Sequence, residues 1–120
     1  MGTIVLGYVS KPEGDAALSR AVAEAKLRGA SLIVVNTHNH SQPDLAMLEA
    51  SGVSYEVRTF PPDVEVADEL VEIAHDHHAE LIVIGLRRRS PVGKLILGSS
   101  AQRILLDAQC PVLAVKAESR

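Results

Sequence analysis

Aromatic side chains are almost missing from this 120-residue chain, which has no Trp, one Phe and two Tyr. A surface that grips single-stranded nucleic acid stacks bases on aromatic rings, so that function class is disfavoured. The net charge of −3, from 12 Lys and Arg against 15 Asp and Glu, argues the same way for nucleic acid in general. A single cysteine, Cys110, cannot close an internal disulfide. With Pro111 and an apolar run behind it, it is expected as a buried thiol. The chain also lacks an 18-residue apolar run and the pattern of a signal peptide, so no membrane contact is expected and the expected location is the cytoplasm. Catalytic signatures are absent too. There is no G-x-S-x-G elbow, no nucleophile with a partnered base, and no carboxylate pair at a strand end.

What the chain does have is aliphatic content, the bulk of an apolar fraction of 47%. At this length it reads as one domain over residues 1–120, large enough to bury a core. Five strand-like runs stand out: Thr3–Val9, Ser31–Thr37, Tyr55–Phe60, Leu81–Gly85 and Pro111–Lys116. Four are nearly continuous in Val, Ile and Leu, as strands covered on both faces are. The third alternates, Tyr55, Val57 and Thr59 against Glu56, Arg58 and Phe60, and belongs at a sheet edge. Between them lie helical stripes: Leu18, Ala21, Val22 and Ala25 closed by Gly29, and Ala67, Leu70, Val71 and Ala74. A short helix is expected from Asp44 to Ala50, closed by Gly52. Strands alternating with helices imply an α/β doubly wound domain with a parallel sheet and right-handed crossovers. In such sheets a ligand crevice opens at the carboxyl ends of the strands, where the winding reverses.

The segment from Gly85 to Ser100 carries the most chemical information. It leaves the strand Leu81-Ile82-Val83-Ile84 and passes Arg87, Arg88, Arg89 and Lys94. It ends at Gly98-Ser99-Ser100, before the helical stripe of Ala101, Ile104, Leu105 and Ala108. Glycines let backbone N–H groups approach a ligand, and a helix start presents unpaired N–H groups with partial positive charge. Four cations in a net-acidic chain therefore point to a phosphate-bearing ligand. Gly93-Lys94 does not make a phosphate-binding P-loop, because position 88 is Arg and position 95 is Leu. Lys94 reads as a surface charge, while Leu95, Ile96 and Leu97 pack inward or meet a partner. Ser99 and Gln102 have capping-box spacing.

Taken with the opening strand Ile4-Val5-Leu6-Gly7, the runs Ala79-Glu80-Leu81-Ile82-Val83-Ile84-Gly85, Leu97-Gly98-Ser99 and Cys110-Pro111-Val112-Leu113-Ala114-Val115 resemble the universal stress proteins of the UspA type. The resemblance covers essentially the whole chain. It implies a five-stranded parallel sheet in the order 3-2-1-4-5 with helices on both faces, and a homodimer formed through the last strand. It further implies a stress-response module that binds ATP or another adenine nucleotide, with Mg²⁺ as a possible companion, and acts without catalysis or with at most slow ATP hydrolysis. Nucleotide-binding members carry G-x-x-G-x9-G-[ST] after strand four. Gly85 matches the first position and Gly98-Ser99 the last two, but the middle glycine is Arg88. An arginine there costs roughly 1–2 kcal/mol if the position requires positive φ, yet its guanidinium can hold a phosphate bidentately. The members' acid near the end of the first strand aligns with Val9, and the stretch between strands two and three is shorter than usual.

By this resemblance Val9, Ser10 and Thr37 line the base side, and Gly85 passes under the ribose. Arg87 and Arg88, with the Gly98, Ser99 and Ser100 backbone, hold phosphates. The rival expectation is a dimeric interaction module without nucleotide, its basic loop 87–94 meeting an acidic partner. His38 and His40 alternate onto one side of the chain near the same sheet edge, where a loop role is expected. His75 and His78 share a helical face but lack a third ligand at suitable spacing. A favourable interaction with the helix end is the expected role of that histidine run, and no metal site is assigned.

Overall fold

The computed structural model describes residues 2–37, 42–86 and 98–117. Nine elements follow in chain order: β1 (Thr3–Gly7), α1 (Pro12–Arg28), β2 (Ser31–Thr37), α2 (Leu45–Ser51), β3 (Tyr55–Phe60), α3 (Val66–Asp76), β4 (Leu81–Leu86), α4 (Ser99–Asp107) and β5 (Val112–Lys116). The strands form one sheet in the order β3-β2-β1-β4-β5, and every pairing is parallel. This is the expected doubly wound sheet. The winding runs β1, β2, β3 to one side and then reverses to β4 and β5 on the other, so the reversal falls between β1 and β4.

Alternation along the strands divides the core into two apolar layers. Ile4, Leu6, Val34 and Val83 face α1 (Ala17, Leu18, Ala21, Val22) and Leu48 of α2. Val5, Ile33, Val35, Ile82 and Ile84 face α3 (Leu70, Ile73) and Ile104 of α4. The helices thus cover both faces. Small alanines on α1 let it lie close on the sheet, and Gly29 ends it in a left-handed conformation at φ 64°, where a side chain is disfavoured. Asp44 caps α2 by accepting from the Met47 amide at 3.0 Å, and Gly52 closes that helix at φ 79°.

Several boundaries differ from the sequence expectation for physical reasons. β1 stops at Gly7 because the chain turns at Val9, whose carbonyl accepts from the Lys11 amide at 2.9 Å. β5 begins at Val112, although the Pro111 carbonyl still accepts from the Ile82 amide. It is an edge strand with Ala114 and Lys116 exposed, so it is not covered on both faces. β3 takes the other edge, as its alternation requires. The expected Ser99–Gln102 capping box does not form. The Gln102 amide bonds the Gly98 carbonyl, which makes Gly98 the N-cap and puts Ser99 inside the first turn. Leu105 is 41% and Leu106 82% exposed, and Cys110 is half-buried rather than buried.

Helix α3 ends at Asp76, and His78 lies beyond it in the left-handed region at φ 49°. The Ala79 amide bonds back to the Ala74 carbonyl at 2.8 Å, the Schellman closure. His75 and His78 therefore do not share a helical face. His75 Nδ1 lies 3.0 Å from Gln109 Oε1. The Nη2 of Arg58 donates to His77 Nε2 at 3.2 Å. Among the described residues no three His, Cys, Asp or Glu side chains converge on a metal position, and no helix is long and apolar enough to cross a membrane.

Candidate functional site

A hollow of about 140 Å³ opens at the carboxyl edge of the sheet, where β1 and β4 part. Gly7, Tyr8 and Val9 come to it from the end of β1, Val35 from β2, and Ile84 and Gly85 from β4. Val66 and Leu70 of α3, with Ser100, Ala101 and Ile104 of α4, close it from the other side. Its lining side chains are mostly aliphatic, and a hollow near 150 Å³ of that chemistry admits a planar ring. Such a floor penalises buried polar groups that find no partner there. It suits the flat face of a base better than a phosphate.

Tyr8 is the one ionisable group among the described lining residues. Its hydroxyl donates to Asp15 Oδ1 at 2.9 Å. Burial first, then that hydrogen bond and the charges of Asp15 and Asp44, push its pKa up to about 12. Tyr8 is therefore neutral at physiological pH and does not supply a base. Gly7 leaves the space that Leu70 occupies, since a Cβ there would lie 2.6 Å from Leu70 Cδ1.

The lip of the hollow has different chemistry. Helix α4 starts with Gly98 in an extended conformation (φ −69°, ψ 168°) and without a side-chain cap. The first amides of a helix have no intrahelical acceptor, and those of Ser99, Ser100 and Ala101 begin at the mouth of the hollow. Orphan amides and the positive end of the helix dipole make this a place for an anion.

The expected site residues do not all fall within the described part of the chain. Val9 is half-buried and lines the hollow, and Ser10 follows it, also half-buried. Thr37 ends β2 opposite Phe60 of β3. Gly85 lines the hollow, while Gly98, Ser99 and Ser100 stand exposed at its lip. Arg87 and Arg88 lie outside the described residues, as do Arg89, Lys94 to Leu97, His38 and His40. Val35, Val66, Leu70, Ala101 and Ile104 were not singled out as site residues by their sequence, because each obeys an ordinary core pattern. Only the topology reveals that they share one hollow.

Two buried polar groups lie outside the hollow. Asn36, wholly buried, alternates onto the α1 face one position before Thr37, and neither of its amide atoms has a hydrogen-bond partner among the described residues. An orphaned polar group of this kind costs about 1–3 kcal/mol. Glu13 is 8% exposed in the first turn of α1, against the backbone of Gly85.

A parallel sheet that reverses its winding at an apolar hollow defines a doubly wound α/β domain. The model of the universal stress protein family matches residues 44–116. A universal stress protein of Mycolicibacterium smegmatis is 44% identical over 126 aligned residues, covering 94% of this chain and 96% of its own. The solved structure of a universal stress protein from Archaeoglobus fulgidus superposes with a TM-score of 0.76 at 30% identity, over 97% of this chain and 98% of that one. A structure from the same organism in complex with dAMP gives a TM-score of 0.68 at 25% identity, over the same shares of the two chains. This chain belongs to the universal stress protein family.

Proposed function

We propose that this protein is a stress-response module of the cytoplasm that binds an adenine nucleotide and works as a non-catalytic regulatory homodimer. The observation that carries the reading is the pairing of an aliphatic hollow with an uncapped helix start at the point where the sheet reverses. The base enters the hollow, with Val9, Ser10 and the Thr37 backbone along its side. The ribose lies near Gly85. Amides of Gly98, Ser99 and Ser100, with the guanidinium groups of Arg87 and Arg88, hold the phosphates. ATP or AMP fits this division of labour, and Mg²⁺ accompanies the triphosphate. The dimer forms through β5, the edge strand of the sheet, because an apolar strand edge is normally covered.

The test is calorimetry of nucleotide-stripped protein with ATP and Mg²⁺, alongside AMP. Micromolar binding that favours ATP supports a phosphate-reading site. No heat up to millimolar nucleotide overturns it. Light scattering at micromolar concentration checks the dimer, and a monomeric mass removes that part. One observation favours the rival reading, a module that binds protein and not nucleotide. A Cβ on Gly85 would lie 2.2 Å from the Glu13 carbonyl oxygen, so packing alone accounts for the first motif glycine.

A further inference from the structure

We propose that α4 is the element that responds to occupancy of the hollow, because a ligand seated there supplies packing that the helix otherwise lacks. The inference rests on the nucleotide-site reading above and extends it from binding to response. Helix α4 has nine residues, of which Ile104 alone is buried. Ala101 is half-buried, and the side chains of Ala101 and Ile104 face the hollow. Beyond that contact, Arg103 of α4 pairs with Asp68 of α3 at 3.1 Å and with Glu65 at 3.9 Å. These are exposed ion pairs, and such pairs hold little.

The contrast with α3 is direct, since Ala67, Leu70, Ile73 and Ala74 are all buried on that helix. An apolar surface facing empty space forfeits the dispersion contacts a neighbour would give it. A helix with one buried side chain, and only Ala101 and the following Ala108 packed beside it, sits at the low end of local stability. A ring that fills the hollow touches Ala101 and Ile104 and anchors the helix, while an anion on the Ser99 and Ser100 amides secures its first turn. Leu105 and Leu106 travel with the helix.

Amide hydrogen exchange of the full chain tests this, with AMP as the probe and its binding followed in parallel by calorimetry. With AMP at 100 times its dissociation constant, exchange from Gln102 to Asp107 slows by about 10- to 100-fold. Exchange in α2, on the opposite face, does not change. Binding heat with unchanged exchange in α4, or with equal slowing in α2, overturns the inference and leaves the nucleotide site standing. Absence of heat overturns the nucleotide site. The packing claim then stands or falls on Ala101→Met, which fills the hollow from the helix itself with a flexible side chain. That variant slows exchange in α4 without ligand if the hollow is what loosens the helix, and leaves it unchanged if it is not.

Discussion

Gly85 and Gly98 stand at the two ends of the same segment, yet the fold treats them in opposite ways. At Gly85 a Cβ would lie 2.2 Å from the carbonyl oxygen of Glu13 and 2.7 Å from its carbonyl carbon. The obstacle is backbone, so α1 itself must move to admit a side chain. Gly14, the residue after Glu13, repeats the situation, its Cβ falling against the Val9 carbonyl. These two glycines let the first turn of α1 press onto the ends of β1 and β4. At Gly98 a Cβ would meet nothing within 4 Å among the described residues. Its φ of −69° is open to any residue. No described residue requires glycine there, and under the proposed function a ligand approaching the helix start would. Matching the first position of a glycine motif is thus weak evidence for nucleotide binding, and substitution at the late glycine is the sharper test.

Substitution should separate the two ends by kind of effect as well as by size. Gly85→Ala is expected to destabilise the fold by about 3 kcal/mol, the upper range for forcing an extra carbon into a packed site. A denaturant melt reads this directly, and a loss under 1 kcal/mol would show that α1 moves aside freely. Arg88 lies between the two glycines and comes next in size. If its guanidinium holds phosphate, Arg88→Ala weakens ATP binding by roughly 1.5–3 kcal/mol, the scale of a charge-assisted hydrogen bond. Arg88→Gly should weaken it as well. Tighter binding by the glycine variant would instead mark the arginine as an obstruction.

Gly98→Ser sharpens the contrast most cleanly, because serine is a good N-cap. Thermal stability should hold or rise slightly, while AMP affinity drops about tenfold, or roughly 1.4 kcal/mol. Unchanged affinity would return Gly98 to chance. The smallest effect belongs to Tyr8, which follows β1 beside the hollow and turns its side chain toward α1. Its pKa in the folded chain, about 12, exceeds the ordinary tyrosine value, near 10, so folding favours the protonated phenol. Its contribution is complete below pH 10 and is lost as pH rises through 10 to 12. Tyr8→Phe should cost roughly 0.5–1.5 kcal/mol at neutral pH and flatten that alkaline loss, as followed by stability measured against pH.

The fold was legible because its signals are local and repeated. Continuous aliphatic runs marked the inner strands, alternation put β3 at an edge, and Gly29 and Gly52 announced helix ends that their left-handed conformations confirm. The capping box failed for a reason sequence spacing does not show. Ser99 and Gln102 are correctly separated, but the Gly98 carbonyl starts the helix one residue earlier. The histidine pairing failed similarly, since His78 leaves the helix through a left-handed residue.

The candidate site was only partly legible. Gly85, Gly98 and the serines marked the strand end and the start of α4. The floor of the hollow could not be read, because Val35, Leu70 and Ile104 look like any core residues until β1 and β4 part. Residues 87–97, which hold the arginines, fall outside the described part of the chain.

Amide chemical-shift mapping of the isotope-labelled protein during an AMP titration tests the central claim most directly. The account predicts that Val9, Gly85, Gly98, Ser99, Ser100 and Ala101 shift together along one saturable curve, with α2 and β3 Tyr55–Val57 unmoved. Shifts confined to another surface, or none at millimolar AMP, would contradict it.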